Sequence, residues 1–293
     1  KGDILKIYKK DNEITVCPEA QKKEIRVISI DITSKKINII KTEIVSAYLE
    51  GYDEITIEGA TLNEEIKNIR GIISSLPGME IMHMSSDMAK IKNLLDEKSV
   101  SIDDIISRLH HMLMSMIEDS LKCFDEDMSE SIFERDNDVN RMVFLAFRVL
   151  RNCIEDYRFA SEIGITQTDT LISWQIILRM EKIGDQCKRI ARHISKSKGK
   201  SNKEMKEIHR DLKKIYESLM IAYKKGDRKT LLKLASESKK KMLERCNDVL
   251  AKDTSKESVL ILEQFKTMAA SIEHIAEAIL TRRKKESEKE SGN

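Results

Sequence analysis

Glu181 and Asp185 stand four residues apart in a segment of helical spacing, so both carboxylates leave one helix face a turn apart and can share a cation. Asp136 and Asn140 repeat that spacing upstream, at one edge of the apolar stripe formed by Val139, Val143 and Ala146. Antiparallel packing of the two helices would bring the pairs together. Oxygen donors of this kind suit hard or borderline cations such as Mg²⁺, Mn²⁺, Ca²⁺ or iron, not a thiolate zinc centre. In a chain with 35% charged residues, acidic i,i+4 pairs also arise by chance on solvated faces. Gly184 argues for more than chance. Glycine inside a helix costs about 1 kcal/mol relative to alanine, so it predicts close helix approach or a special geometry at this turn, and Ala191 on the same face agrees.

Other residues that could carry chemistry do not assemble into a catalytic pattern. His110 and His111 lie beside the apolar face of a helix and read as packed or surface residues. Glu80 to His83 is the one Glu-x-x-His, and it falls in a strand, which excludes the ferritin-like di-iron arrangement. No phosphate-cradling glycine loop, nucleophile elbow or Cys/His dyad occurs. The five cysteines, Cys17, Cys123, Cys153, Cys187 and Cys246, form no C-x-x-C and mostly occupy apolar helix positions, so they read as reduced core residues of a cytoplasmic protein.

The elements that must hold the carboxylates are long helices. Ser101 can cap a helix whose apolar face runs Ile102, Ile105, Ile106, Leu109, Leu113, Met116 and Ile117, with Met112 and Met114 read as core filler. A second helix is predicted over 128–155 and a third over 168–193, the latter with Ile176, Met180, Ile183, Cys187 and Ile190 inside and Trp174 at the bundle edge. After a Lys/Ser/Gly-rich link at 195–202, three more follow over 203–224, 228–251 and 255–283, the first stopped at Gly226. Two successive sets of three helices are an internal-repeat signal.

Upstream the pattern shortens. Residues 4–16 alternate around a polar turn at 11–12 and read as a β-hairpin. Strands are predicted at 24–31, 54–58, 80–84 and 89–94, with helices at 38–49 and 63–75, a small βαβαββ domain. The expected organisation is thus a partial β module at 1–20, a small α+β domain at 21–97, helical repeats at 98–197 and 202–283, and a charged disordered tail at 284–293. The chain opens on Lys1-Gly2-Asp3, which reads like the middle of a domain, so further residues are expected upstream. A net charge of +2 confines any nucleic-acid contact to a local patch, and no apolar run is long enough to span a bilayer.

The run Arg179-Met180-Glu181-Lys182-Ile183-Gly184-Asp185-Gln186-Cys187-Lys188-Arg189-Ile190-Ala191 resembles the E-R-I-G-D-x-A-x-x-I-A signature of PhoU-family phosphate-uptake regulators. Asp136-Asn137-Asp138-Val139-Asn140 is similar to their partner motif, D-x-x-V-N or D-x-x-V-D, on the preceding helix. The resemblance covers about 100–283. It implies tandem three-helix bundles, and a divalent or iron-type metal held in the first repeat by Asp136, Asn140, Glu181 and Asp185. The second repeat keeps an acidic pair in Glu273 and Glu277, but its partner helix offers Ser236 and Lys240 where carboxylates belong. The hairpin, from Lys1-Gly2-Asp3-Ile4-Leu5-Lys6-Ile7 to Ile14-Thr15-Val16-Cys17-Pro18, is similar to the second half of an AbrB-type swapped-hairpin DNA-binding module, which archaeal-type PhoU proteins carry.

The function this implies is regulation of phosphate uptake by metal-modulated docking on a phosphate ABC transporter or signalling protein, with the chain a cytoplasmic homodimer and not an enzyme. Two competitors remain. One is an AbrB-type transcriptional regulator, binding DNA through the complete N-terminal module with the bundle as sensor. The other is a metal-dependent phosphohydrolase.

Overall fold

The computed structural model describes residues 5–10, 13–18, 25–196 and 203–282. They divide into two units, residues 1–70 with 78–94, and residues 71–77 with 95–293.

In the first unit, β1 (Leu5–Lys10) and β2 (Glu13–Pro18) pair antiparallel with Ile7 opposite Val16. The turn expected at 11–12 lies outside the described residues. Leu5, Ile7, Ile14 and Val16 share one face by their period of two and their register, and each is more than half exposed. Then β3 (Val27–Asp31), α1 (Ile37–Leu49) and β4 (Glu54–Glu58) make a parallel crossover. A further helix, α2 (Leu62–Ser74), leads to the antiparallel pair β5 (Met79–Met84) and β6 (Met88–Asn93). The sheet order is β3-β4-β6-β5. Alternation decides which face is buried: Ile55 and Ile57 of β4 and Ile91 of β6 are enclosed with Ile40, Ile44 and Tyr48 of α1.

The second unit is helical. Its first repeat contains α3 (Ile102–Lys122), α4 (Ser129–Glu155) and α6 (Gln167–Lys196); its second contains α7 (Lys203–Lys225), α8 (Arg228–Lys233) continuing through a π-helical turn into α9 (Lys239–Leu250), and α10 (Lys256–Leu280). These are the tandem three-helix bundles that the apolar spacing predicts. Ser101 caps α3 by accepting from Asp104 N, as read from the sequence, and Ser255 caps α10 by accepting from Ser258 N. The third helices of the two repeats, α6 and α10, make the most extensive helix contact, so one continuous core runs from Ile105 and Leu109 through Ile183 and Ile190 to Phe265 and Ile275.

Two local features differ from the expectation. A six-residue helix, α5 (Tyr157–Glu162), interrupts the link between the second and third helices. Asp156 caps it through Arg158 N, and Gly164 at φ 72° lets the chain leave it. The helix expected over 228–251 is also not uniformly α: residues 234–238 wind as a π turn, with the Ser238 hydroxyl donating to the Leu234 carbonyl. An extra residue in one turn rotates everything after it by about 100° relative to an uninterrupted helix.

Candidate functional site

Two helices frame the candidate site. On α4 the apolar residues Ile132, Val139, Val143, Ala146 and Leu150 turn into the core, which leaves Asp136 and Asn140 at the edge of the buried stripe. On α6 the equivalent face is Met180, Ile183, Cys187, Ile190 and Ala191, and Glu181, Asp185 and Lys188 line its edge at helical spacing. Gly184 faces the other way, toward α3. A Cβ there would lie 3.1 Å from Leu113 Cδ2 and 3.7 Å from Met116, so the close approach that its presence predicts is between α6 and α3, behind the carboxylates.

The structure brings the expected residues to one seam, and puts a lysine among them. Lys188 Nζ donates to Asp136 Oδ2 at 2.6 Å and forms an ion pair with Asp185 Oδ1 at 3.1 Å. Asn140 Nδ2 donates to the same Asp136 oxygen at 3.3 Å, and Arg189 Nη2 stands 3.9 Å from Asp185 Oδ2. The Lys188 ammonium is raised above the usual lysine range: burial opposes the charge, but hydrogen bonds to Asp136 and Asp185 outweigh it. Glu181 is shifted upward, first by burial and then by the neighbouring Asp185 charge.

The seam continues on both sides of this charged centre. One turn on, the Arg192 guanidinium lies 5.6 Å from the Phe133 ring centroid in a cation–π contact. In the other direction Trp174 stacks on Phe147, with centroids 4.4 Å apart and planes inclined by 15°. In the second repeat Lys239 Nζ donates to Glu273 Oε2 at 2.7 Å. Glu277 instead lines a cleft of about 230 Å³ between α10 and α6, with His274, Leu178 and Arg179. The sequence puts Lys240 at the i,i+4 position facing these carboxylates; in the structure Lys239 is the lysine that meets Glu273.

A metal held by carboxylates needs several of them converging, with oxygens to spare for a hard cation's coordination. Among the described residues no group of three or more His, Cys, Asp or Glu side chains is arranged to hold one. Asp136 and Asp185 converge on an ammonium, and Asp136 Oδ2 already accepts from two nitrogens. As arranged, the four residues fit a lysine and do not fit a resident metal. Lys188 is what reasoning from the sequence overlooked. Its signal was present, since it lies three residues beyond Asp185 on the same face, but attention to oxygen ligands passed over a cation supplied by the chain.

Other singled-out residues take structural places. Cys123, Cys153, Cys187 and Cys246 are free and buried, and burial pushes the Cys187 thiol up to about 12, an inert form. His110 lies 5.6 Å from the Tyr216 ring and is held at about 4, first by burial. The buried histidine that does make a specific bond is His209, whose Nε2 lies 2.9 Å from the Ser120 hydroxyl across the contact of α3 with α7. No helix among the described residues is long and apolar enough to cross a membrane.

Residues 106–194 match the family described as the PhoU domain, a stretch of 89 of the 293 residues that contains all four of the expected ligands. The crystal structure of PhoU from Pseudomonas aeruginosa is similar with a TM-score of 0.52 at 15% sequence identity, over 61% of this chain and 93% of that one. At that identity the likeness shows a shared helical-bundle fold. No curated protein matches the chain.

Proposed function

We propose that this protein is a cytoplasmic regulator of phosphate uptake and homeostasis that acts by docking its helical bundle on a phosphate ABC transporter or a signalling partner, and that it is not an enzyme. The observation that carries this reading is the PhoU-domain match over 106–194, which holds both acidic motifs on adjacent helices of a PhoU-like bundle. The seam between α4 and α6 supports docking there: beside its charged centre stands exposed Phe133, whose ring meets Arg192, the mix of apolar anchor and polar orientation that partner surfaces use. Deleting the gene in its host and measuring uptake of labelled phosphate at high external phosphate tests the reading. Uptake rises in the deletion strain and returns on complementation; unchanged uptake sinks it.

A second reading, homodimerisation through the N-terminal hairpin to form a DNA-binding module, is supported by the exposed apolar face of Leu5, Ile7, Ile14 and Val16, which a second copy would cover. Gel shifts with protein whose N-terminus is extended by its native upstream residues decide it. Binding lost on deleting residues 5–18 favours this reading, and no shift with promoter DNA of phosphate genes removes it.

A further inference from the structure

We propose that Lys188 is the resident cation of the acidic patch, a tethered ammonium standing where the family resemblance implies a metal, and that Lys239 takes the same part in the second repeat. The first argument is connectivity. Lys188 on α6 reaches Asp136 on α4 at 2.6 Å while holding Asp185 on its own helix at 3.1 Å, so one nitrogen links two helices, as a bridging metal would. Both carboxylates are largely withdrawn from water, with side-chain exposures of 10% for Asp136 and 24% for Asp185, and neutralising them in place is what a cation is needed for.

The second argument is exclusion. A divalent ion entering between Asp136 and Asp185 would meet the Lys188 ammonium at contact distance and the Arg189 guanidinium behind Asp185. Like charges in a partly desolvated seam repel strongly, so the ion enters only if Lys188 leaves. The third argument is repetition by a different route. In the second repeat the lysine comes from the opposite helix, α9, where Lys239 meets Glu273 at 2.7 Å. Two repeats that obtain an ammonium from different helices share the outcome and not the residue.

The test uses the whole protein purified without chelators. Elemental analysis is expected to find no stoichiometric manganese, iron, magnesium or zinc, and calorimetric titration with Mn²⁺ alone to show no saturable site. Lys188→Met, which keeps the hydrocarbon stem and removes the charge, frees the two carboxylates and raises Mn²⁺ affinity on the order of tenfold or more. Lys188→Arg keeps the charge and gains nothing. Should Lys188→Met fail to fold, the wild type still decides: the Lys188 ammonium resonance, slowed in exchange by its two carboxylates, stays in place on adding Mg²⁺. One equivalent of metal in the wild type, a folded Lys188→Met without gain, or a Lys188 signal lost to Mg²⁺ would each overturn the proposal. These readouts are of metal and lysine alone, so they stand or fall separately from the phosphate-uptake phenotype.

Discussion

The two helical repeats share a plan and differ in where they keep their charges. In the first, three carboxylates lie inside, each matched by a cation. Glu97, in a 3₁₀ turn (Glu97–Ser99) ahead of α3, is buried and bonds both Arg148, which is fully enclosed, and Asn152. Asp119 at the end of α3 is likewise buried and is met by Arg135, Lys122 and Ser131. Asp136 and Lys188 complete the series. In the second repeat Arg245 with Asp211 and Lys252 with Glu204 sit at the rim, each at least a third exposed, while Glu273, paired with Lys239, is partly buried. Desolvated pairs fix geometry, because breaking one strands a charge, whereas rim pairs are screened and contribute little. The repeat that carries the acidic motifs is thus also the one whose electrostatics admit a single arrangement.

The largest expected effect tests that contrast directly. Glu97→Ala leaves Arg148 charged in the core and should destabilise by about 3–5 kcal/mol, whereas Asp211→Ala in the second repeat should cost under about 1 kcal/mol. Urea unfolding followed by circular dichroism measures both. Equal costs would end the distinction between an internally paired and a rim-paired repeat.

Glu97 also marks where the sequence stops being legible. The long helices follow from apolar residues at 3.6-residue spacing, the α3 cap from Ser101 and Asp104, and the tight α6–α3 approach from Gly184, all local signals. Glu97 is an acidic residue in a connector, and its partner Arg148 is 51 residues away, so composition marks it as solvated. The α5 helix is too short to show a period, and the π turn leaves none either, since Leu234-Ala235-Ser236-Glu237-Ser238 would suit an ordinary helix. The site was legible as an acidic seam because its pairs recur on adjacent helices. Its cation was not, because a lysine on a charged helix is ordinary until its distance to two carboxylates is known.

Where the repeats meet, Lys213 of α7 pairs with Glu118 of α3 toward the rim, while the buried part of that contact holds a histidine and a hydroxyl. His209 on α7 is fully buried, edge-on to Phe265 with centroids 5.3 Å apart, and bonded to Ser120 of the first repeat. Burial holds it at about 4, against 6.5 for a free imidazole, so the native state keeps it neutral while the unfolded chain protonates below 6.5. The unfolded state then binds more protons, and stability falls as pH drops from about 6.5 to about 4, by on the order of 3 kcal/mol. Thermal melts across that range should show the loss, and His209→Gln, neutral at every pH, should reduce it, leaving the share of His110, which burial also holds at about 4. A wild-type profile already flat between those values would place a charge at the seam and blur the contrast between the repeats.

The smallest effect concerns Glu181, the one carboxylate of the patch that Lys188 does not bond among the described residues. Burial first, and then the Asp185 charge, raise it above the ordinary glutamate range. A carboxyl that is raised on folding makes the native state bind the extra proton, so stability is lost as pH climbs from 4.5 through the raised value, the reverse of the His209 case. Glu181→Gln should therefore stabilise slightly at neutral pH and do nothing at acid pH. In the second repeat Glu277, at the position of Asp185, is exposed to water, and Glu277→Gln should leave the melting temperature unchanged at both. If Glu181→Gln destabilises at neutral pH, the carboxylate is being held by a cation other than Lys188, and the first repeat is a metal site after all.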